Sequence, residues 1–263
     1  MIRVTVFLTD DGSTDGTSQA IKSTFPNRDI KIIQGNGNLF WAGGMRAAWQ
    51  CALLKSKWNF YLLMNDDTLF DVNAFEELIA THQYSIQAYR SPGVYSGIIS
   101  SLDRSTITYG GKVYSSGLFG KSVSIRPTGY PQICKMTNAN ILLVSNLVVK
   151  NIGILDEHYM HSCADWAYGI EASRNGFPVL VTGKICGYCD NDHDTEEQEH
   201  QKLRKMSIKD RKRYFNSPLH STNDILFFMR KYTRWKYPFV VIARVINIFF
   251  PSLYYFLSSK RSK

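Results

Sequence analysis

Asn65, Asp66 and Asp67 are the residues in this chain whose types and spacing most directly suggest chemistry. They close the run N-F-Y-L-L-M-N-D-D-T of residues 59–68, where apolar and aromatic residues lead straight into two adjacent acids. Adjacent carboxylates repel each other, and a divalent cation relieves that repulsion. Oxygen ligands suit magnesium or manganese, which in turn neutralises a bound diphosphate. The alternative is a polar turn that caps the following helix, since Asp and Thr both start helices. A second acidic turn, D-D-G-S-T-D-G-T, occupies residues 10–17. A third group is G-N-G-N-L-F-W-A-G-G-M, residues 35–45, where glycines allow backbone to approach a ligand closely. A fourth acid, Asp165, lies in the run G-I-L-D-E-H-Y-M-H-S-C-A-D-W-A-Y-G-I-E-A-S-R-N-G-F of residues 153–177.

Positioning these groups requires strands that end on them. The apolar run before Asn65 reads as a buried strand of a parallel sheet. Residues 2–9 read as a strand ending at Asp10, and residues 29–33 as a second short strand. In open α/β sheets, ligands bind outside the carboxyl ends of the strands. Helices are expected from about Thr17, capped by Thr14 or Asp15, over residues 45–54, and over residues 72–84. Diphosphate charge would be favoured at the helix start that follows the Gly-rich stretch, although Phe40 and Trp41 could equally fill the core there. Residues 92–131 read as a Gly-rich β region with alternating stretches. Residues 136–144 read as a core strand, followed by a short helix capped by Ser145 or Asn146, and residues 177–182 as a last strand.

Bulk properties limit the remaining choices. The 263 residues are 44% hydrophobic and 20% charged, an ordinary globular balance. Five cysteines, with no signal peptide visible, read as reduced thiols of a cytoplasmic compartment. Cys186 and Cys189 form one C-x-x-C pair, short of the four ligands of a structural zinc site. The net charge of +9 is uneven: from His200 onward stand 15 Lys and Arg against Asp210 and Asp224, while the preceding residues hold 16 basic and 20 acidic. A tail of +13 on a body of −4 points to a polyanionic surface met by the tail, anionic lipid or nucleic acid. Residues 237–257 are apolar and long enough to span a bilayer, but Arg244, Asn247 and Pro251 interrupt them. An interfacial helix on an anionic membrane surface fits that pattern better than a spanning one or a nucleic-acid partner; a helix packed on the core is the alternative.

The order D-D-G-S-T-D-G-T, then G-N-G-N-L-F-W-A-G-G-M, then a strand ending N-D-D-T, resembles family 2 glycosyltransferases with the A-type fold. The resemblance runs over about residues 2–187. It implies an α/β fold with a Rossmann-like, mixed, mostly parallel sheet, a catalytic domain of residues 1–199, and a basic, helical C-terminal extension of residues 200–263. It also implies an inverting transfer of a hexosyl or deoxyhexosyl group from a nucleotide-sugar donor to a glycan or lipid-linked acceptor. Surface polysaccharide synthesis at the inner, cytoplasmic face of a membrane fits such a role. Asp10 or Asp11 would hold the nucleotide base, and Trp41, Gly43, Gly44 and Met45 the donor. Asp67 would be the main ligand of a manganese or magnesium ion, with Asn65 near the ribose and Asp66 in support. Asp165 lies where the family carries its base, at the head of a helix closed by Arg174 and Gly176, with Ala167 in place of a second acid two residues on; without the resemblance, Asp165 reads as only a helix N-cap. His193 stands where the family often supplies a further metal or phosphate ligand, in a loop that could equally be solvated. Family members normally begin one strand earlier, so a truncated, non-catalytic binding protein is an alternative, as is a sugar nucleotidyltransferase.

Overall fold

The computed structural model of the chain describes residues 3–114, 122–191 and 194–259. It contains two compact units, Met1–Glu157 with Ala164–Asn191, and His158–Cys163 with Asp192–Lys263.

The first unit opens with a parallel pair, β1 (Val6–Asp10) and β2 (Ile30–Gln34), joined through α1 (Thr17–Thr24). The N-cap residue of α1 is Gly16, in place of the expected Thr14 or Asp15; the Asp15 carboxylate, one residue before it, accepts from the Thr17 backbone N–H at 3.0 Å. Next come α2 (Phe40–Lys55), β3 (Phe60–Met64), β4 (Leu69–Phe70) and α3 (Ala74–Tyr89). The β-rich middle contains β5 (Val94–Ser100), β6 (Ile107–Tyr109), β7 (Lys112–Tyr114), β8 (Ser122–Ser124) and β9 (Gln132–Ile133). The unit closes with β10 (Ile141–Ser145), α4 (Asn146–Ile152), α5 (Ala164–Arg174) and β11 (Val179–Tyr188).

The main sheet runs β3-β10-β5-β11-β4, with β6 on β5 and β9 on β11. β5 and β11 are parallel neighbours, and β10 lies antiparallel between β3 and β5. β3, β5 and β11 therefore point one way, as expected of a mixed α/β sheet. The short strands β4, β6 and β9 pair antiparallel, so antiparallel ladders are more frequent than the sequence suggested. Among the described residues, β1 pairs with β2 alone, in a small sheet of its own.

Burial explains the strand types. Every residue of β5 and β10 is buried, so β5 is a central strand covered on both faces, and its expected alternation is absent. β11 runs six residues beyond the expected end at Thr182 and carries Cys186, with register shifts after Val181 and after Ile185. Its extension closes the core around Leu78, Tyr95, Ile99, Ile141 and Leu180. Cys186 and Cys189 are both buried free thiols, and burial pushes the Cys186 thiol up to about 11. Ser145 is the N-cap residue of α4, but its hydroxyl makes no cap bond and is buried without a partner.

The second unit is helical: α6 (Glu196–Lys205), α7 (Ile208–Asn216), α8 (Thr222–Tyr232), a 3₁₀ turn at Arg234–Lys236, α9 (Tyr237–Phe249) and α10 (Pro251–Ser259). A capping box at Thr195 and Gln198 starts α6. Buried Asp224 accepts the backbone N–H groups of Met160, His161 and Ser162 at 2.9–3.1 Å, tying residues 158–163 to α8. The apolar stretch of residues 237–257 divides into two helices at Phe250, because Pro251 cannot continue the hydrogen-bond ladder. Among the described residues, no helix is long and apolar enough to cross a membrane.

Candidate active site

The turn after β1 uses its acids locally. Asp10, 5% exposed, accepts from the Ser13 N–H at 2.9 Å and from the Ser18 hydroxyl, which itself accepts from Gln34 Nε2. The Ser18 bond, followed by those from Ser13, holds the Asp10 carboxyl down at about 2. Asp11 reaches across to the Gly-rich stretch. Its Oδ1 accepts from Gly37 N at 2.7 Å, and its Oδ2 from Leu39 N at 2.7 Å and Phe40 N at 3.2 Å.

This clamp corrects the expected start of the following helix. α2 begins at Phe40, five residues before Met45, so Trp41, Gly43, Gly44 and Met45 lie inside its first two turns. No side chain of its own caps it. Asp11, distant in sequence, satisfies orphan N–H groups at the helix start and places a negative charge at the positive end of the dipole. The anion that the structure places at this helix start is thus a carboxylate of the protein. Gly35 makes the approach possible, because a Cβ there would overlap Asp11 Oδ1 and stand 2.9 Å from Asp11 Cα. α2 lies on β1, where Thr9 Oγ1 donates to the Gly44 carbonyl at 2.8 Å.

Trp41, in the first turn of α2, donates its Nε1–H to Asn65 Oδ1 at 2.8 Å. The Gly-rich segment is thereby joined to the N-D-D-T turn at the end of β3. Asn65 N donates to the Asn140 carbonyl at 3.2 Å, and Asn140 Nδ2 to Thr68 Oγ1 at 3.3 Å. Thr68 Oγ1 in turn donates to Asp67 Oδ1 at 3.3 Å. The turn is held from beneath, while Asp66 and Asp67 remain exposed. Among the described residues, no group of three or more His, Cys, Asp or Glu could hold a metal. Two exposed adjacent carboxylates nonetheless suit magnesium or manganese, which commonly take one or two protein carboxylates and complete their shell with water and substrate phosphates. His193 lies outside the described residues.

Asp165 stands in the first turn of α5. Its Oδ1 accepts from Trp166 N at 2.8 Å and its Oδ2 from Ala139 N at 3.1 Å, while Thr137 Oγ1 donates to its main-chain carbonyl at 2.8 Å. The Asn138 amide, in the orientation that satisfies both its ends, donates to the Gly110 carbonyl at 3.0 Å and accepts from Trp166 Nε1 at 3.2 Å. The residue keeps some accessible surface, yet protein surrounds its carboxyl, and burial raises its pKa to about 6. The N–H groups of Trp166 and Ala139 and the charge of Lys112 only partly offset that burial. Such a carboxylate is poised to accept a proton near neutral pH.

Residues 137–140 are the part that sequence reasoning missed. Read as the start of a strand, they are a hub: Thr137 and Ala139 hold Asp165, and Asn140 holds Asn65 and Thr68. The available signal was the polar T-N-A-N at the head of an apolar strand. Hydrogen bonds thus run from Asp11 through α2, Trp41, Asn65 and Asn140 to the segment that fixes Asp165. Two open clefts lie away from this line. One is bordered by Asn59, Phe60, His82 and Ser145, the other by Arg46, Gln50, Asp156 and Glu157.

Several known proteins are similar to this chain. The family model described as "Glycosyl transferase family 2" matches residues 2–89. No curated protein matches the chain. Among solved structures, a mannosyltransferase from Pyrobaculum calidifontis, PcManGT in complex with GDP-Man and Mn2+, is 10% identical with a TM-score of 0.47, over 96% of this chain and 69% of that one. S. aureus TarS 1-349 is 15% identical with a TM-score of 0.44, over 86% of this chain and 62% of that one. GalNAc-T7 with UDP, GalNAc and Mn2+ is 12% identical with a TM-score of 0.48, over 73% of this chain and 40% of that one. The match to the glycosyl transferase family 2 model covers the first third of the chain, residues 2–89.

Proposed function

We propose that the protein is an inverting glycosyltransferase that moves a sugar from a nucleotide-sugar donor to a glycan or lipid-linked acceptor, in the synthesis of a surface polysaccharide. The observation that carries this reading is the hydrogen-bonded line joining Asp11, Trp41, Asn65, Asn140 and Asp165. Side chains far apart in sequence are fixed at one end of the strands, where α/β sheets bind ligands.

The residues divide the work. Asp67, with Asp66 in support, would hold a magnesium or manganese ion. When bound, that ion neutralises charge on the leaving diphosphate. Asp10 and Asp11 fix the first turn and the start of α2, so the base would rest on a turn they shape as well as on their remaining lone pairs. Asn65, its amide oxygen held by Trp41, offers its Nδ2 toward the ribose. Gly43, Gly44 and Met45 line the helix beside the donor. Asp165 takes the acceptor hydroxyl proton as that oxygen bonds to the anomeric carbon. The bond from the anomeric carbon to the diphosphate breaks, and the nucleoside diphosphate leaves with the electron pair.

A panel of nucleotide sugars, assayed for slow hydrolysis with manganese, magnesium or EDTA, tests the reading. The expected result is nucleoside diphosphate release from one donor that stops with EDTA. Metal-independent behaviour and no donor binding across the panel would sink it.

A further inference from the structure

The three residues that interrupt the apolar C-terminal sequence all turn inward. Asn247 is 6% exposed, and Pro251 is buried. The Arg244 guanidinium lies 4.2 Å from the centre of the Phe215 ring, and burial lowers its pKa against the pull of nearby Glu199. Arg211 fastens the same side, donating from Nε to the Leu203 carbonyl and from Nη1 to the Ile248 carbonyl.

Apart from Ser252, what remains outside is apolar. Phe239, Ile242, Val245 and Phe249 on α9 are exposed at spacings of three and four residues, and Phe250, Leu253, Phe256 and Leu257 continue the exposed set onto α10. Arg244 is the one charged residue in α9, and α10 has none. An exposed apolar surface of this extent on a helix pair marks a binding surface. At its borders, Lys212 Nζ lies 5.4 Å from the Phe249 ring centre and Lys236 Nζ 5.1 Å from that of exposed Trp235.

We propose that the outer face of α9 and α10 docks in the plane of an anionic lipid surface, with apolar side chains in the acyl boundary and the bordering Lys and Arg at the headgroups. Charge decides between lipid and a second copy of the chain. The second unit, from Asp192 onward, carries 15 Lys and Arg against 7 acids, a net +8, and of those acids Asp224 is buried. Two such surfaces pressed face to face would repel, whereas anionic headgroups attract them. This inference stands on the second unit alone and does not depend on the transfer reaction.

Flotation of the full-length protein with vesicles of phosphatidylcholine alone, or of phosphatidylcholine with phosphatidylglycerol, tests it at low and high salt. Wild type should float with the anionic vesicles, weaken with salt, and keep a salt-resistant remainder. The double variant Phe239→Ser, Phe256→Ser should lose at least about tenfold in vesicle affinity, with its helical circular dichroism unchanged. The double variant K212Q, K236Q should lower the salt-sensitive part and leave the salt-resistant remainder. Wild type left unbound at low salt would overturn the proposal. So would a dimer in sedimentation that the Phe239→Ser, Phe256→Ser variant dissolves, or DNA binding with a steep salt slope and no flotation.

Discussion

Asp165 shows how burial can both tune a side chain and cost stability. Its carboxyl is raised from 3.8 to about 6, so the folded state binds its proton more tightly than the unfolded state does. The resulting stabilisation is fully present below about pH 4 and is lost as pH rises through 6, by up to roughly 3 kcal/mol. Asp165→Asn should therefore unfold at higher urea than wild type at pH 7, and show a flatter pH dependence between 4 and 6. The same variant should keep donor affinity and lose transfer by roughly a hundred- to ten-thousandfold. Wild-type transfer should rise with pH through about 6 as the base ionises. A variant of equal or lower stability, with transfer within a few-fold of wild type, would make Asp165 an ordinary helix-start residue. Asp67 has the opposite setting, exposed at the end of β3 with Thr68 as its neighbour. Asp67→Ala should leave the unfolding curve within about 0.5 kcal/mol of wild type. In calorimetry it should abolish the manganese-dependent part of nucleotide-sugar binding.

At the scale of elements, α2 is the piece on which the site depends. It starts on a carboxylate from the β1 turn, rests on β1 through Thr9 and Gly44, and reaches the N-D-D-T turn through Trp41. Further along, Trp49 packs against Tyr61 of β3 and Tyr168 of α5, with ring centres 5.8 and 5.4 Å apart. Asp11→Ala should cost about 0.5–2 kcal/mol, as loss of a helix cap does, and should loosen donor binding without touching Asp165. Gly35→Ala should have a similar effect on donor affinity, since its Cβ would take the space of the Asp11 carboxylate. Hydrogen exchange at the amides of Gly37, Leu39 and Phe40 is the direct measurement. Unchanged protection in both variants would contradict the clamp.

For the whole molecule, the division into two units gives each its own way to fail. The second unit depends on Asp224, which collects three backbone N–H groups in a buried position. Asp224→Ala leaves those donors without their acceptor and should cost about 2–4 kcal/mol. The loss should appear in calorimetry as an earlier transition of the helical unit, with donor binding by the first unit preserved below it. Simultaneous loss of both units at one lower temperature would show that they unfold as one.

The sequence by itself determined where β1 and β3 end. Apolar runs stopping at Asp10 and Asn65, and an acid heading the helix that ends at Arg174, are local patterns that survive folding because burial and the dipole act on neighbours in the chain. It also determined the asymmetry of charge, which is a count. Tertiary structure alone decided which acids face outward and which are used inside. Asp11 became a clamp because Gly35 let it reach three amides more than twenty-five residues away. Residues 137–140 became a hub because β10 was inserted beside β3, a pairing that no periodicity announces. Arg244, Asn247 and Pro251 read as interruptions of an apolar stretch until helix phase turned all three to one side. A sequence records spacing, but only packing decides which side of a helix is the inside.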